Sequence, residues 1–529
     1  MSQEIEYPSS AIAHTHPARL AARAIERGLL RDFCHDFRYL ELACGDASNL
    51  LALASRFPEA TFVGVDVDSA AIARGLDRAK RLGLQNLSLL ARDLREVEPS
   101  GPFDYVVAHG VYSWVARDVQ RALLESSKRL LADRGVFYVS YNTMPGWGLR
   151  GVLRAVMRDA AATETEPRAR LRRAKLAVAR LQQYIPKENP YGALLGAELA
   201  MVQNKHDGYL LGEHLAPHNE ALFVTEFLER VEAAGFQFLA EQIPATPDGA
   251  LEQTLPAELE ALGLSPAEAQ RQLDVLCYRQ FRATLLCHGE RSLGVASAEQ
   301  LRDRGYLAGQ LQVLAQEPLL APGAKLAFET PSGVVVESDQ PLQKAALLVL
   351  ARSWPTGLRV AELMSAALGE LKARALLDGT PVSPKLIEDA IGDLLELVSR
   401  RQLELLPWSP SSADSVPTRP ALPELTRLEA ARGHVTTPRH EPLTLDALRT
   451  ALLPLLDGHR DLLQLAAELR ALREAGELVL DPDQARVLAD DGALHQLIQQ
   501  VVREALRFGL FPASPVVTPG PGRASGTLN

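Results

Sequence analysis

The run YLELACGDASNLLALA, Tyr39–Ala54, decides how the first third of the chain is read. An apolar strand ends near Glu41, a loop of small residues follows, and a helix begins near Asn49. Small residues belong where a backbone turns tightly and approaches a ligand. A dinucleotide site wants G-x-G-x-x-G at this place, so that a pyrophosphate can sit on the helix N-terminus. Here the loop has only Gly45, with Ala43 and Ala47 on either side. The carboxylates of Glu41 and Asp46 suit a cationic ligand better than a pyrophosphate. S-adenosylmethionine, with its sulfonium and ammonium groups, has the matching charge.

Outward from this loop, short β-rich runs alternate with helical ones, the pattern of a parallel sheet wrapped by helices. The candidate strands are Tyr39–Leu42, Thr61–Asp66, Leu87–Ala91, Tyr105–His109 and Val136–Ser140, and most are apolar throughout, as strands covered on both faces are. Helices are expected at Asn49–Arg56, Ser69–Arg81 and Val119–Leu131. The second strand ends at Asp66, at the spacing of a carboxylate that accepts from both ribose hydroxyls; the competing role is a helix N-cap. Asp93 and the Leu94 backbone, after the third strand, are candidates for the adenine edge, with a surface carboxylate as the plain alternative. The fourth strand brings His109, Tyr112 and Trp114 to the C-terminal edge of the sheet, where such folds bind ligands. Tyr112 and Tyr141 are candidates for the wall of an acceptor mouth and Asn142 for orienting the acceptor; simple packing is the alternative for both tyrosines.

At 529 residues the chain predicts three or more domains. Residues 1–149 read as the cofactor-binding α/β core and 150–219 as a helical insertion, in which RARLRRAKLAVARLQQ reads as an amphipathic helix with a solvated arginine face, a basic binding surface being the other reading. Residues 220–330 begin with a helix–Gly–strand element that closes the sheet, followed by a middle region. Residues 331–409 and 433–513 read as two mainly helical modules, 410–432 as a Pro/Ser-rich linker and 514–529 as a disordered tail.

A net charge of −10 argues against general attraction to nucleic acid, and neither C-terminal module carries a dense Lys/Arg recognition helix. No apolar run approaches the roughly 20 residues of a membrane span, and the start MSQEIEYPSS lacks signal-peptide features, so a cytoplasmic protein without membrane insertion is expected. The 4 cysteines form no CxxC pairs, which argues against structural zinc or a disulfide framework. His206, Glu213, His214 and His218 raise a metal question, but Pro217 interrupts any shared helical face, and no metal is expected.

The runs LELACGDASNL, VGVDVDSAAI, FDYVVAHGVYSWV and GVFYVSYNTMPGWGLRG together resemble the class I methyltransferases that carry a methyltransferase regulatory domain, including the rickettsial protein-lysine methyltransferases. YPSSAIAHTHPARL, GYLLGEHLAPHNEALFVTEF and YRQFRATLLCH match the same group, and RSWPTGLRVAEL and LLDGHRDLLQLAAEL resemble its winged-helix-like C-terminal region. The resemblance implies a Rossmann-like methyltransferase sheet with winged-helix-like C-terminal modules, and an enzyme using S-adenosylmethionine. By position it makes Ala43, Cys44, Gly45, Asp66, Asp93, Leu94 and His109 cofactor neighbours, with Glu41 beside them. It further implies a protein lysine acceptor and homodimerisation. Two other functions fit the same residues: a methyltransferase acting on small molecules or natural products, and a catalytically weak cofactor-binding regulatory protein. The second draws on Ala47; relatives carry glycine where Ala43 stands and two glycines where Ala47 and Ser48 stand, and Gly148 replaces a histidine usual after PGW. The N-terminal YPSSAIAHTHP is expected to fold over the cofactor, bringing Tyr7 or His16 near it.

Overall fold

In a computed structural model of the protein, the described residues are 9–30, 32–98, 101–186, 188–247, 249–377, 382–479, 486 and 490–513. Tyr7 and the expected tail at 514–529 lie outside them. The chain divides into two units: residues 1–353, 357–409 and 440–442 form the first, and 354–356, 410–439 and 443–529 the second.

The first unit is built on β1 (Arg38–Leu42), β2 (Thr61–Asp66), β3 (Leu87–Ala91), β4 (Phe103–Ala108), β5 (Leu131–Asn142), β6 (Phe236–Glu241) and β7 (Phe281–His288). They form one sheet in the order β3-β2-β1-β4-β5-β7-β6, with β7 antiparallel to both neighbours. The first five strands are parallel, and the order reverses between β1 and β4, so a crevice opens at their C-terminal ends. One face of the sheet buries Leu53, Phe62, Tyr105 and Tyr138, and the other Leu42, Phe103, Phe137 and Tyr141. Two-sided burial explains why these strands read as apolar runs.

Helices α1 (Pro17–Glu26), α2 (Ser48–Arg56), α3 (Ser69–Arg81) and α4 (Arg117–Leu130) belong to this α/β part. Asp68 caps α3, its carboxylate accepting from the amides of Ala70 and Ala71, so the N-cap role open to Asp66 falls two residues later. Gly75 lets α3 approach the loop after β1: a Cβ there would lie 2.9 Å from the Asp46 carbonyl oxygen.

After β5 the chain runs through α5 (Gly146–Ala160), α6 (Pro167–Tyr184), α7 (Pro190–Gln203) and the short α8 (Asp207–Tyr209), which passes into a π-helical turn, Leu210–His214. These elements bury their own core of Leu153, Met157, Leu171, Val178, Leu199 and Leu210. Then α9 (Val224–Ala233) leads to β6, and α10 (Ala250–Ala261) with α11 (Pro266–Leu276) leads to β7. A further core collects Leu307, Phe328, Leu347, Leu363 and Leu394 from small strands and helices between residues 298 and 406.

The second unit is mainly helical and buries Leu422, Ala430, Leu452, Leu469, Ile498 and Phe511 together. One expectation needs correction. The supposed linker at 410–432 holds the helix Glu424–Ala430 and gives Leu422 and Ala430 to this core. Trp408, at the start of the Pro/Ser-rich stretch, packs in the first unit against Phe57 at 5.3 Å. Pro/Ser composition describes the backbone of that stretch and not the apolar side chains it carries.

Candidate functional site

The loop between β1 and α2 carries three left-handed residues in alternation: Ala43 (φ 61°), Gly45 (φ 55°) and Ala47 (φ 59°). That alternation folds the loop back on itself and opens the crevice above it. For an alanine the conformation costs about 1–2 kcal/mol. The Cβ of Ala47 is fully buried within the apolar core with Leu50 and Phe62, away from the crevice, so it leaves the ligand approach open. Ala47→Gly is therefore expected to gain up to about 1 kcal/mol in urea unfolding, part of the relief being offset by glycine's greater unfolded-state entropy. A loss of stability would contradict this account.

The loop is held from outside by residues far from it in sequence. Arg78 on α3 pairs with Asp46 Oδ2 at 2.7 Å and donates to Ser48 Oγ at 3.0 Å. Asp46 Oδ1 also accepts from Ser9 Oγ at 2.5 Å and Ser48 Oγ at 2.8 Å. Asp46 thus organises the loop and fastens the N-terminal segment to it. Asp66 accepts from the Gly45 amide at 2.7 Å and from the Asp68 amide at 2.9 Å.

Above the loop lies a cavity of about 1000 Å³, lined at one end by Ser9, Ile12, Glu41, Ala43, Cys44, Gly45, Asp66 and His109. Glu41 is only 3% exposed, and its Oε2 accepts from Asn49 Nδ2 at 3.0 Å. Burial, reinforced by Asp66 and Asp46, pushes its carboxyl up to about 8. A carboxyl buried against a cavity, as Glu41 is, suits a cation, and the half-buried Asp66 at the end of β2 can accept from a ribose. His109 is kept neutral: burial, with His14 adding, lowers it to about 4, while its Nδ1 lies 2.9 Å from the Tyr138 hydroxyl.

The other end of the cavity is aromatic. Trp114 and Trp147 meet edge to face at 5.8 Å and Tyr209 adds to the walls, while Phe281 lines the cavity beside His109, 5.8 Å from its ring. Arg150 covers Trp147 at 5.3 Å and is fixed by Glu198 at 3.1 Å and Gln280 at 2.7 Å. The π-helical turn brings Glu213 to this end, and Asn142 reaches it from β5, its Nδ2 donating to Asn219 Oδ1 at 3.2 Å. His214, behind, is buried and neutral and stacks on Trp147.

Four expected site residues stand elsewhere. Tyr141 stacks on Phe227 at 3.9 Å, and Tyr112 meets the same ring edge-on at 5.4 Å, both inside the apolar core. For Tyr141 the cause is strand alternation: Tyr138, Ser140 and Asn142 share one face of β5, and Tyr141 faces the other way. Asp93 accepts from the Arg95 amide at 2.9 Å and pairs with its guanidinium at 2.7 Å, which holds the carboxyl down at about 2. Leu94 beside it is buried, and neither residue lines the cavity. His16 caps α1 through its Nδ1, while Ser9 and Ile12 of the same segment do line the cavity. Among the described residues no group of three or more His, Cys, Asp or Glu is arranged to hold a metal, and no helix is long and apolar enough to cross a membrane.

Three family models match the chain: a methyltransferase domain over residues 40–137, a predicted methyltransferase regulatory domain over 206–288, and the PKMT C-terminal winged helix domain over 418–508. The chain is 30% identical over 238 residues to the uncharacterized protein RP028 of Rickettsia prowazekii, covering 45% of this chain and 95% of that one. It is 24% identical over 498 residues to RP789 of the same organism, covering 92% and 88%. The structure of PKMT2 from Rickettsia typhi superposes with a TM-score of 0.81 at 22% identity, over 96% of this chain and 99% of that one. The same protein in complex with AdoHcy gives 0.80.

Proposed function

We propose a protein lysine acceptor for this chain, which belongs to the class I S-adenosylmethionine-dependent methyltransferases of the rickettsial PKMT type. The observation that carries the proposal is the aromatic end of the cavity, continuous with the carboxyl-lined end. S-adenosylmethionine supplies an electrophilic methyl group on its sulfonium. In this reading Glu41, Ala43, Cys44, Gly45, Asp66 and His109 surround it, with Glu41 facing its positive charge and Asp66 its ribose. The aromatic walls exclude water, and desolvation favours the neutral amine that attacks. Glu213 draws the ammonium in, and Asn142, its Nδ2 held by Asn219, orients the amine through Oδ1. Tyr112 and Tyr141 support this end from the core instead of touching the acceptor.

The test is methyl transfer from radiolabelled cofactor in a cell extract, followed by acid hydrolysis of the labelled protein. Label in methylated lysine supports the reading. Label confined to small molecules favours a small-molecule acceptor instead.

Glu41 makes cofactor binding depend on pH. Its folded value of about 8 lies above the ordinary carboxyl value, so the free folded protein holds this proton at pH 7. The contribution to folding is full below the ordinary carboxyl range and is lost as pH rises through about 8. Binding a cation ionises Glu41, so affinity is expected to rise from pH 6 to about 8 and then level off. Calorimetry at pH 7 in two buffers of different ionisation enthalpy should report proton release; equal heats would contradict it.

The same family reading extends to a cytoplasmic location and a homodimer. Tyr184, Tyr191 and Leu194, exposed on α6 and α7, offer an apolar face for the second copy. Light scattering that returns the mass of one chain would reject the dimer.

A further inference from the structure

Asn49 joins several parts of the first unit beneath the cofactor loop. Its Oδ1 accepts from the Ile12 amide at 2.9 Å, and its Nδ2 donates to Thr15 Oγ1 at 3.1 Å and Glu41 Oε2 at 3.0 Å. One more contact comes from far along the chain. His440 Nε2 lies 2.7 Å from Asn49 Oδ1, across 391 positions of sequence, and both residues belong to the first unit.

His440 is held in place with some force. It is 2% exposed and has φ 65°, a left-handed conformation strained for any residue with a Cβ. The next residue, Glu441, pairs with Arg19 at 2.9 Å, and Arg19 also holds Glu404 at 2.7 Å. The ring packs against His16 at 5.8 Å, which in turn meets Trp408 at 5.0 Å and Phe57 at 5.5 Å. An amide oxygen can only accept, so the ring must present Nε2–H to it. Burial, with Arg56 and Arg19 adding, keeps the imidazole neutral by lowering it to about 3, so this single donor persists across the physiological range.

The two ends of a carboxamide have nearly the same shape, and hydrogen bonds alone decide which end faces Glu41. Turned over, Asn49 would set Oδ1 against Glu41, acceptor against acceptor once cofactor binding ionises that carboxyl. It would also set Nδ2 against the Ile12 amide and the His440 donor. We infer that His440 is a positioning residue of the cofactor site, fixing through Asn49 the hydrogen-bond donor that faces Glu41. The inference concerns the cofactor end and stands whether or not the acceptor is a lysine.

The test is calorimetric affinity for S-adenosylhomocysteine and S-adenosylmethionine in the full chain, with the melting temperature of the ligand-free protein beside it. His440→Phe keeps a ring in the packed cluster and removes the donor; it is expected to fold and to bind S-adenosylmethionine about tenfold more weakly. His440→Gln, which can still donate, should recover most of that loss. In an Asn49→Ala background, His440→Phe should add less than a twofold change, because its partner is gone. Affinity within twofold of the parent for His440→Phe, or the same tenfold loss without Asn49, overturns the inference. If the ring variant does not fold, His440→Leu takes its place, alone and in the Asn49→Ala background, with the same expected and overturning results.

Discussion

Asp274→Ala is expected to destabilise the first unit by about 3–5 kcal/mol, because it breaks a buried ion pair from one side only. Asp274 and Arg282 are both 0% exposed at the side chain, and the guanidinium makes two contacts of 2.9 Å with the carboxylate. Glu241 accepts from Arg282 Nη1 at 2.8 Å, Gln270 accepts from its Nη2 at 2.9 Å, and Arg279 approaches Asp274 at 3.6 Å. Burial pushes the Asp274 carboxyl up, against the pull of Arg282 and Arg279. With alanine at 274, a buried guanidinium keeps one carboxylate where it had two, on the strand that joins β5 to β6. Urea unfolding followed by circular dichroism measures the loss. A midpoint equal to the parent's would refute it, and an Asp274→Leu, Arg282→Met pair should recover much of the stability, since an apolar replacement has no ion to strand.

The second large effect is on binding. Asp66→Ala is expected to weaken S-adenosylmethionine about a hundredfold. The carboxylate already anchors the Gly45 and Asp68 amides, and each oxygen keeps a further lone pair for a ribose hydroxyl. Two hydrogen bonds to a charged acceptor, at about 1.5 kcal/mol or more each, give that factor. Asp66→Asn separates the two roles: it retains one acceptor and should fall between the parent and the alanine variant. Calorimetry decides, and an affinity for the alanine variant within threefold of the parent's would remove Asp66 from the ribose.

The parts of the fold that could be read in advance are those with short-range causes. Strands buried on both faces are apolar runs between turn residues, and β2 and β3 begin and end where that pattern puts them. Side-chain direction within β5 was less accessible, because a strand apolar on both faces gives no alternation to show that Tyr141 looks away from Asn142. Asp93 had a local signal of the opposite kind: an arginine two residues on completes a turn that occupies its carboxylate. Arg78 lies 32 residues from Asp46, Ser9 lies 37 from it, and His440 lies 391 from Asn49. No periodicity or spacing rule reaches across such gaps. The aromatic end had a usable clue in Trp147 of PGW and Tyr209 of GYLLGEH, but a tryptophan in sequence does not say whether it lines a cavity or fills a core.

The antiparallel pairing of β5 with β7 also bears on how the molecule is born. Roughly 140 residues separate Asn142 from Phe281, and at about 5–20 residues per second a ribosome needs some 7–28 s to make them. Through that interval β5 has its parallel neighbour β4 but no partner on its other side, a bare edge open to any extended chain nearby. The intervening helices can bury their own core meanwhile, so the nascent chain grows past an unfinished sheet. Slowing translation after residue 142 should therefore increase aggregation, whereas slowing it after 288 should not.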